Sequence, residues 1–176
     1  MVLTIAQAAF AFAGSKPTSA DSEKMVDAIQ KQNSSQIEKL KKSGTSINAL
    51  GPDGLTGLMR VADDGNQDGV NLALKLGADI NQANSNGETA LFYATYSGHE
   101  SVALELLKRG AKADLVLPQS KECVLHSAAK ASLTRLGREL KKAAPACLAQ
   151  KNTEGKTPYD LAKEMGASEL AKALKP

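Results

Sequence analysis

Residues 86–100 read NGETALFYATYSGHE, and they gather Phe92, Tyr93, Tyr96, His99 and Glu100 in a chain that is only 3% aromatic. Such a stretch could be a catalytic site, a recognition patch or the inside of a structural unit, and recurrence separates the three. The stretch recurs. DGLTGLMRVADDGN (53–66), NGETALFYATYSGH (86–99), KECVLHSAAKASL (121–133) and EGKTPYDLAKEMGA (154–167) align at a period of 33 or 34 residues. Thr56, Thr89, Cys123 and Thr157 form one column, and Leu58, Leu91, Leu125 and Tyr159 another. Gly65, Gly98 and Gly166 form a third, in which the fourth segment carries Ser132.

A second helical pattern follows each segment, as in GVNLALKLGADIN (69–81) and SVALELLKRGAKAD (101–114), with Gly77 and Gly110 in register. SSQIEKLKKSGTSIN (34–48) joins this column through Gly44 and Asn48. Each unit is predicted to be helix, tight turn, helix and glycine stop. Val102, Leu106 and Leu107 supply the buried stripe of a second helix, and Gly110 suits the left-handed residue that ends it. Neither helix is long enough to be stable alone in water, so the pairs must stack.

On these residues the chain resembles the ankyrin-repeat family over residues 22–175. The family's T-P-L-H column corresponds to TGLM, TALF, CVLH and TPYD, and its G-A-D-V-N ending to GADIN (77–81) and GAKAD (110–114). The resemblance implies an all-α solenoid of about five units, with repeats near 22–50, 51–83, 84–117, 118–151 and 152–176, the first and last acting as caps. No copy holds both the threonine and the histidine, so the family's polar link within that turn is expected to be intact in none. The fourth unit is irregular after Ser132, and Pro145 interrupts its exit. Phe92 and Tyr93 are then core residues and His99 a turn residue. By the resemblance, Tyr96 falls at the end of its first helix, on the side of the binding groove.

Composition excludes several functions. With 22 basic and 19 acidic residues the charge is too balanced for a nucleic-acid footprint. Two histidines without CxxC or HExxH spacing make no metal site, and no glycine-rich phosphate loop is present. Asp63 and Asp64 are adjacent and do not face each other on a helix, so they make a poor acid–base pair. Cys123 and His126, four positions inclusive, are the one nucleophile-and-base spacing, yet they occupy columns of a structural turn. No catalytic residue, cofactor or metal is expected. Arg135, Arg138, Lys141 and Lys142 recur at helical spacing and by the resemblance lie on the convex back. The groove side is expected to carry Asp53, Leu55, Asp63, Asp64, Glu88 and Tyr96, an acidic face with one aromatic suited to a partner presenting Lys or Arg.

Val2 to Phe12 carries no charge and has the length of a signal-peptide core, and Ala11-Phe12-Ala13 supplies the small residues of a cleavage site. No Lys or Arg precedes it, and an apolar helix lying on the first unit is the other reading. Export would leave residues 1–13 as a signal peptide, 14–21 as a linker and 22–176 as the repeat domain, in the periplasm rather than the cytoplasm. In an oxidising compartment Cys123 and Cys147 would close a disulfide across the irregular unit; otherwise Cys123 is a small buried residue. The expectation is a monomeric, non-enzymatic binder of another protein, with no membrane contact after signal removal. The resemblance further implies likeness to exported bacterial members of the self-protection type, which block a secreted enzyme such as a cell-wall peptidase. The alternative is a helper of another partner, such as a periplasmic catalase, or a host-directed interaction protein.

Overall fold

The computed structural model describes residues 18–175, so the apolar stretch 1–13 lies outside the described residues. Among the described residues ten α-helices run in five consecutive pairs: α1 (Ser19–Gln30) and α2 (Ser34–Lys42), α3 (Gly57–Asp63) and α4 (Gln67–Lys75), α5 (Ala90–Tyr96) and α6 (Glu100–Lys108), α7 (Val124–Lys130) and α8 (Thr134–Ala143), α9 (Pro158–Glu164) and α10 (Ser168–Leu174). A 3₁₀ turn, Pro145–Leu148, follows α8. First helices stack on first helices, α1 on α3 through to α7 on α9, and the second helices from α4 to α10 form an outer row. This is the expected all-α repeat solenoid.

Its core is the repeat columns laid side by side. Leu58, Leu91 and Leu125 are buried in the inner row, and Leu106, Leu136, Leu140 and Leu170 in the outer row. A buried leucine contributes about 1.5–3 kcal/mol, which no seven-residue helix could collect alone. The inner helices begin on side-chain caps: Thr56, Thr89 and Thr157 each accept a hydrogen bond from the backbone N–H three residues on. The loops are tied across repeats as well. Asn48 Oδ1 accepts from the Asp79 N–H and Asn81 Oδ1 from the Lys112 N–H, both at 2.8 Å.

Two details depart from the sequence reading. The linker expected over 14–21 is already helix at Ser19, because Thr18 and Asp21 form a capping box that starts α1. The polar link of the threonine–histidine turn, expected in no copy, is made in the fourth. Cys123 N–H donates to His126 Nδ1 at 3.2 Å, and Nε2 lies 3.3 Å from the Lys156 carbonyl in the next repeat. An N–H only donates and a carbonyl only accepts, so the ring proton sits on Nε2. Only the backbone of residue 123 is needed, which is why cysteine serves. Elsewhere Met59 Sδ accepts from the Thr56 N–H, and Asp160 from that of Thr157.

The exit of the fourth unit is irregular, as Pro145 implied. Gly44, Gly77 and Gly110 end α2, α4 and α6 with φ of 91–93°. Ala144 stands in that column at φ −138°, so α8 runs one residue longer and passes into the 3₁₀ turn led by Pro145. At the other glycine column Gly65 has φ +68°, and a Cβ there would lie 2.5 Å from His99 Nδ1. His99 is thus packed as a turn residue, as its column predicted.

Candidate functional site

The exposed edge of the inner row carries one residue per repeat in a single column: Gln30, Asp63, Tyr96, Lys130 and Glu164. Tyr96 stands out among them. Its side chain is 66% exposed, while Phe92 one turn earlier is buried. The two rings stack with centroids 5.9 Å apart and planes 15° from parallel. Tyr93 meets Phe92 edge-on at 6.0 Å and donates its hydroxyl to Glu88 at 2.6 Å. Burial and the Glu88 carboxylate push the Tyr93 phenol well above its usual range, so it stays protonated and keeps donating.

The four carboxylates expected beside Tyr96 are present but held in different ways. Asp53 pairs with the Arg60 guanidinium, and its Oδ1 also accepts from the Leu55 N–H. Asp63 accepts the Ser97 hydroxyl of the next repeat at 2.6 Å, and Asp64 accepts from Gln30 of the preceding one at 2.8 Å. Glu88 accepts from Asn84 at 2.8 Å besides Tyr93. The donors to Asp63, Asp64 and Glu88 are neutral side chains rather than cations, and they fix the geometry of the three carboxylates. Asp53 does not contribute a free charge, because Arg60 from its own repeat neutralises it. Leu55 is a correction: it is 8% exposed and belongs to the core, because the Asp53 turn holds its backbone at the base of the loop and its side chain goes inward.

Beyond Tyr96 the inner face is a chain of ion pairs that sequence reading missed. Glu122 is buried and receives Lys130 Nζ at 2.6 Å and Asn152 Nδ2 at 3.2 Å. In the fifth unit Lys156 reaches Glu164 Oε2 at 2.7 Å. Lys156 occupies the column of Glu122 and Glu164 that of Lys130, so the pair recurs with its signs exchanged. That reversal was visible in the alignment.

The outer face differs. Arg135, Arg138 and Lys142 are exposed, as expected of a solvated back. Lys141 is half-buried and donates to the Ala173 carbonyl at 2.8 Å, which serves the C-terminal end of α10. A cleft of about 780 Å³ lies here between α6 and α8, lined by Leu104, Leu107, Lys108, Arg135, Glu139 and Lys142 among others. It is an open furrow of mixed charge. Cys123 and Cys147 are both buried free thiols. No group of His, Cys, Asp and Glu that could hold a metal occurs among the described residues, and no helix there is long and apolar enough to cross a membrane.

Stacked helix pairs with an exposed, patterned inner edge define a repeat protein of the interaction type. The chain belongs to the ankyrin-repeat family: a model of three tandem ankyrin repeats matches residues 25–117. Among its relatives, the Notch-regulated ankyrin repeat-containing protein of Xenopus tropicalis is 37% identical over 87 residues, covering 47% of this chain and 76% of that protein. The Homo sapiens protein of the same name is 36% identical over the same length. Protein phosphatase 1 regulatory subunit 27 of Mus musculus is 36% identical over 69 residues, covering 39% of this chain and 45% of that protein.

Proposed function

We propose that the chain is a non-enzymatic protein-binding module whose recognition surface centres on Tyr96, flanked by Asp63, Asp64 and Glu88. The exposed Tyr96 ring, stacked on a buried Phe92, carries this reading. A tyrosine fixed in this way offers large contact area and little rotamer freedom to lose on binding. Three carboxylates held by neutral donors give the same face a negative field, which suits a partner segment bearing Lys or Arg. The thiol–imidazole pair of the fourth unit is fully buried and engaged in repeat packing, which favours binding over catalysis.

The finer reading is that the protein acts as a monomer in the periplasm, where it occludes a secreted enzyme such as a cell-wall peptidase. Its support is the uncharged run Val2 to Phe12 followed by Ala-Phe-Ala and the concave shape of the family's binding face. The relatives above are eukaryotic proteins, two of them named for regulation by Notch and one for regulating a phosphatase, and they lend support to protein interaction alone.

Calorimetric titration with the partner purified on the wild-type protein tests the surface. Tyr96→Ala should weaken binding by about 1–3 kcal/mol with little change in thermal midpoint. Asp63→Asn with Asp64→Asn keeps both hydrogen-bond acceptors while removing charge, and should slow association and flatten its salt dependence. Arg135→Glu with Arg138→Glu should leave binding unchanged. Loss of binding in the back variants with retention in the Tyr96 and Asp63/Asp64 variants would place the surface elsewhere.

A further inference from the structure

The cleft between α6 and α8 is open because the residues that bridge the other outer helices are replaced there. Lys41 Nζ on α2 donates to the Leu76 carbonyl at the end of α4 at 3.0 Å, and Lys141 Nζ on α8 donates to the Ala173 carbonyl of α10 at 2.8 Å. Arg109, at the end of α6, reaches back to Asn71 on α4, its Nη2 donating to Oδ1 at 2.7 Å. Between α6 and α8 each of these positions is apolar. Leu107 stands in the column of Lys41 and Lys141, Leu104 in that of Asn71, and Ala143 in that of Arg109. All three line the cleft. Among the described residues the two helices are hydrogen-bonded to each other at their start alone, where Glu100 Oε1 accepts the Leu136 N–H at 2.9 Å.

The walls are charged unevenly. Arg109 holds Glu105 at 2.6 Å and Lys142 holds Glu139 at 2.9 Å, so each carboxylate already has its cation. Lys108 and Arg135 are exposed, one on each wall, and among the described residues neither makes an ion pair. Leu104 and Leu107 lie deeper, half-buried between them.

We propose that this cleft docks an acidic amphipathic helix of another protein, with the helix's apolar stripe on Leu104, Leu107 and Ala143 and its carboxylates over Lys108 and Arg135. A furrow between two helices takes the apolar face of a third, and α6, nine residues long, is matched by a docked segment of two to three turns, about 14 Å. The two spare cations select glutamate or aspartate at the edges of the stripe. A bilayer fits worse, because the leucines lie deep in a concavity rather than projecting from it. A nucleic acid fits worse as well, because the lining offers two carboxylates and leucines instead of aromatic rings for bases to stack on. The site is separate from the Tyr96 surface on the inner row and takes a partner of the opposite charge.

The test uses the whole chain and a synthetic peptide of about sixteen residues, blocked at both ends, with leucines at every third or fourth position and glutamates beside them. Calorimetry should show saturable one-to-one binding, with amide shifts concentrated at residues 104–111 and 135–143. Lys108→Glu with Arg135→Glu should weaken binding by about tenfold or more. Leu107→Lys installs the residue that Lys41 and Lys141 supply in other units, so it should keep the fold and weaken binding by about tenfold or more. Tyr96→Ala should bind the peptide as the wild type does, so this result and that for the inner surface are read separately. No binding, equal binding of a peptide of the same composition in scrambled order, or undiminished binding to Leu107→Lys would overturn the proposal. Binding of phosphatidylserine vesicles in place of the peptide, or a dimer that Leu107→Lys dissolves, would give the cleft to a membrane or to a second copy and overturn it too.

Discussion

The exchanged ion pairs of the last two units make a quantitative prediction. Glu122 bonds Lys130 at 2.6 Å, with the glutamate side chain 10% and the lysine side chain 44% exposed. Glu122→Lys removes that charge-assisted bond and strands the Asn152 amide, whose Oδ1 is held by the Glu154 and Lys156 N–H groups and so cannot flip to compensate. The cost should be about 2.5 kcal/mol. Lys130→Glu leaves a buried carboxylate facing another, but the half-exposed partner relaxes into water, and about 1.5 kcal/mol is expected. The double exchange recreates the polarity that Lys156 and Glu164 already hold in the fifth unit. It should recover the pair but not the Asn152 bond, leaving about 1 kcal/mol of loss. The coupling between the two sites is then about 3 kcal/mol, at the upper end for neighbouring residues. Urea unfolding followed by far-UV circular dichroism on the four proteins measures it. A coupling below about 0.5 kcal/mol would mean that the pair is an accident of two flexible side chains and that the repeated register carries no energy. The acid limb gives a second readout. Burial raises the Glu122 carboxyl, but the Lys130 ammonium and the Asn152 amide outweigh it and hold the group below the usual range. Its contribution is therefore complete above the ordinary carboxylate pKa and is lost as pH falls through the depressed folded value, so wild type and Glu122→Gln should converge in acid.

Two further outcomes are expected. Lys121 and Ser132 have φ of 59° and 56° in columns where the second, third and fifth repeats place glycines such as Gly87 and Gly98. Lys121→Gly and Ser132→Gly should each raise stability by about 0.5–1 kcal/mol in the same urea assay, the relief of left-handed strain exceeding the entropy cost of glycine; a loss at either site would refute the strain. If the export reading holds, intact mass of protein taken from its native cell should correspond to a chain beginning at Gly14, and a chain retaining residues 1–13 would sink it.

Repetition made the fold legible. A column that recurs four times declares its role, and so the buried leucines, the turn glycines and the inward Phe92 could all be assigned from the alignment. Features that depend on one contact were harder to see. Leu55 looks like a loop residue, and only the Asp53 turn determines that it faces inward. Ser19 follows a proline and a polar run, yet the reciprocal Thr18–Asp21 bonds make it the first residue of a helix. The Cys123–His126 link was masked by asking for a threonine side chain where a backbone N–H suffices. Asp53 looked like a free groove charge because its partner, Arg60, lies across a loop and helix boundary rather than at helical spacing.

The irregular fourth unit also explains how the recognition edge can stay rigid beside it. Two left-handed positions that the second, third and fifth repeats fill with glycine are filled there by Lys121 and Ser132. The same unit holds Glu122 with Lys130 and Asn152, and the His126 bridge to the fifth repeat. Several polar bonds worth about 1 kcal/mol each can offset strain of that size. They also join units four and five, so strain at the exit is shared with the cap. Tyr96 is anchored differently. It sits in the third unit, whose turns keep their glycines, and Phe92 beneath it packs within the inner row between α3 and α7. Units three and four meet through α5 with α7 and through α6 with α8, and the buried Leu91 and Leu125 lie in the first of these pairs. A recognition aromatic and an irregular repeat exit can therefore occupy adjacent units.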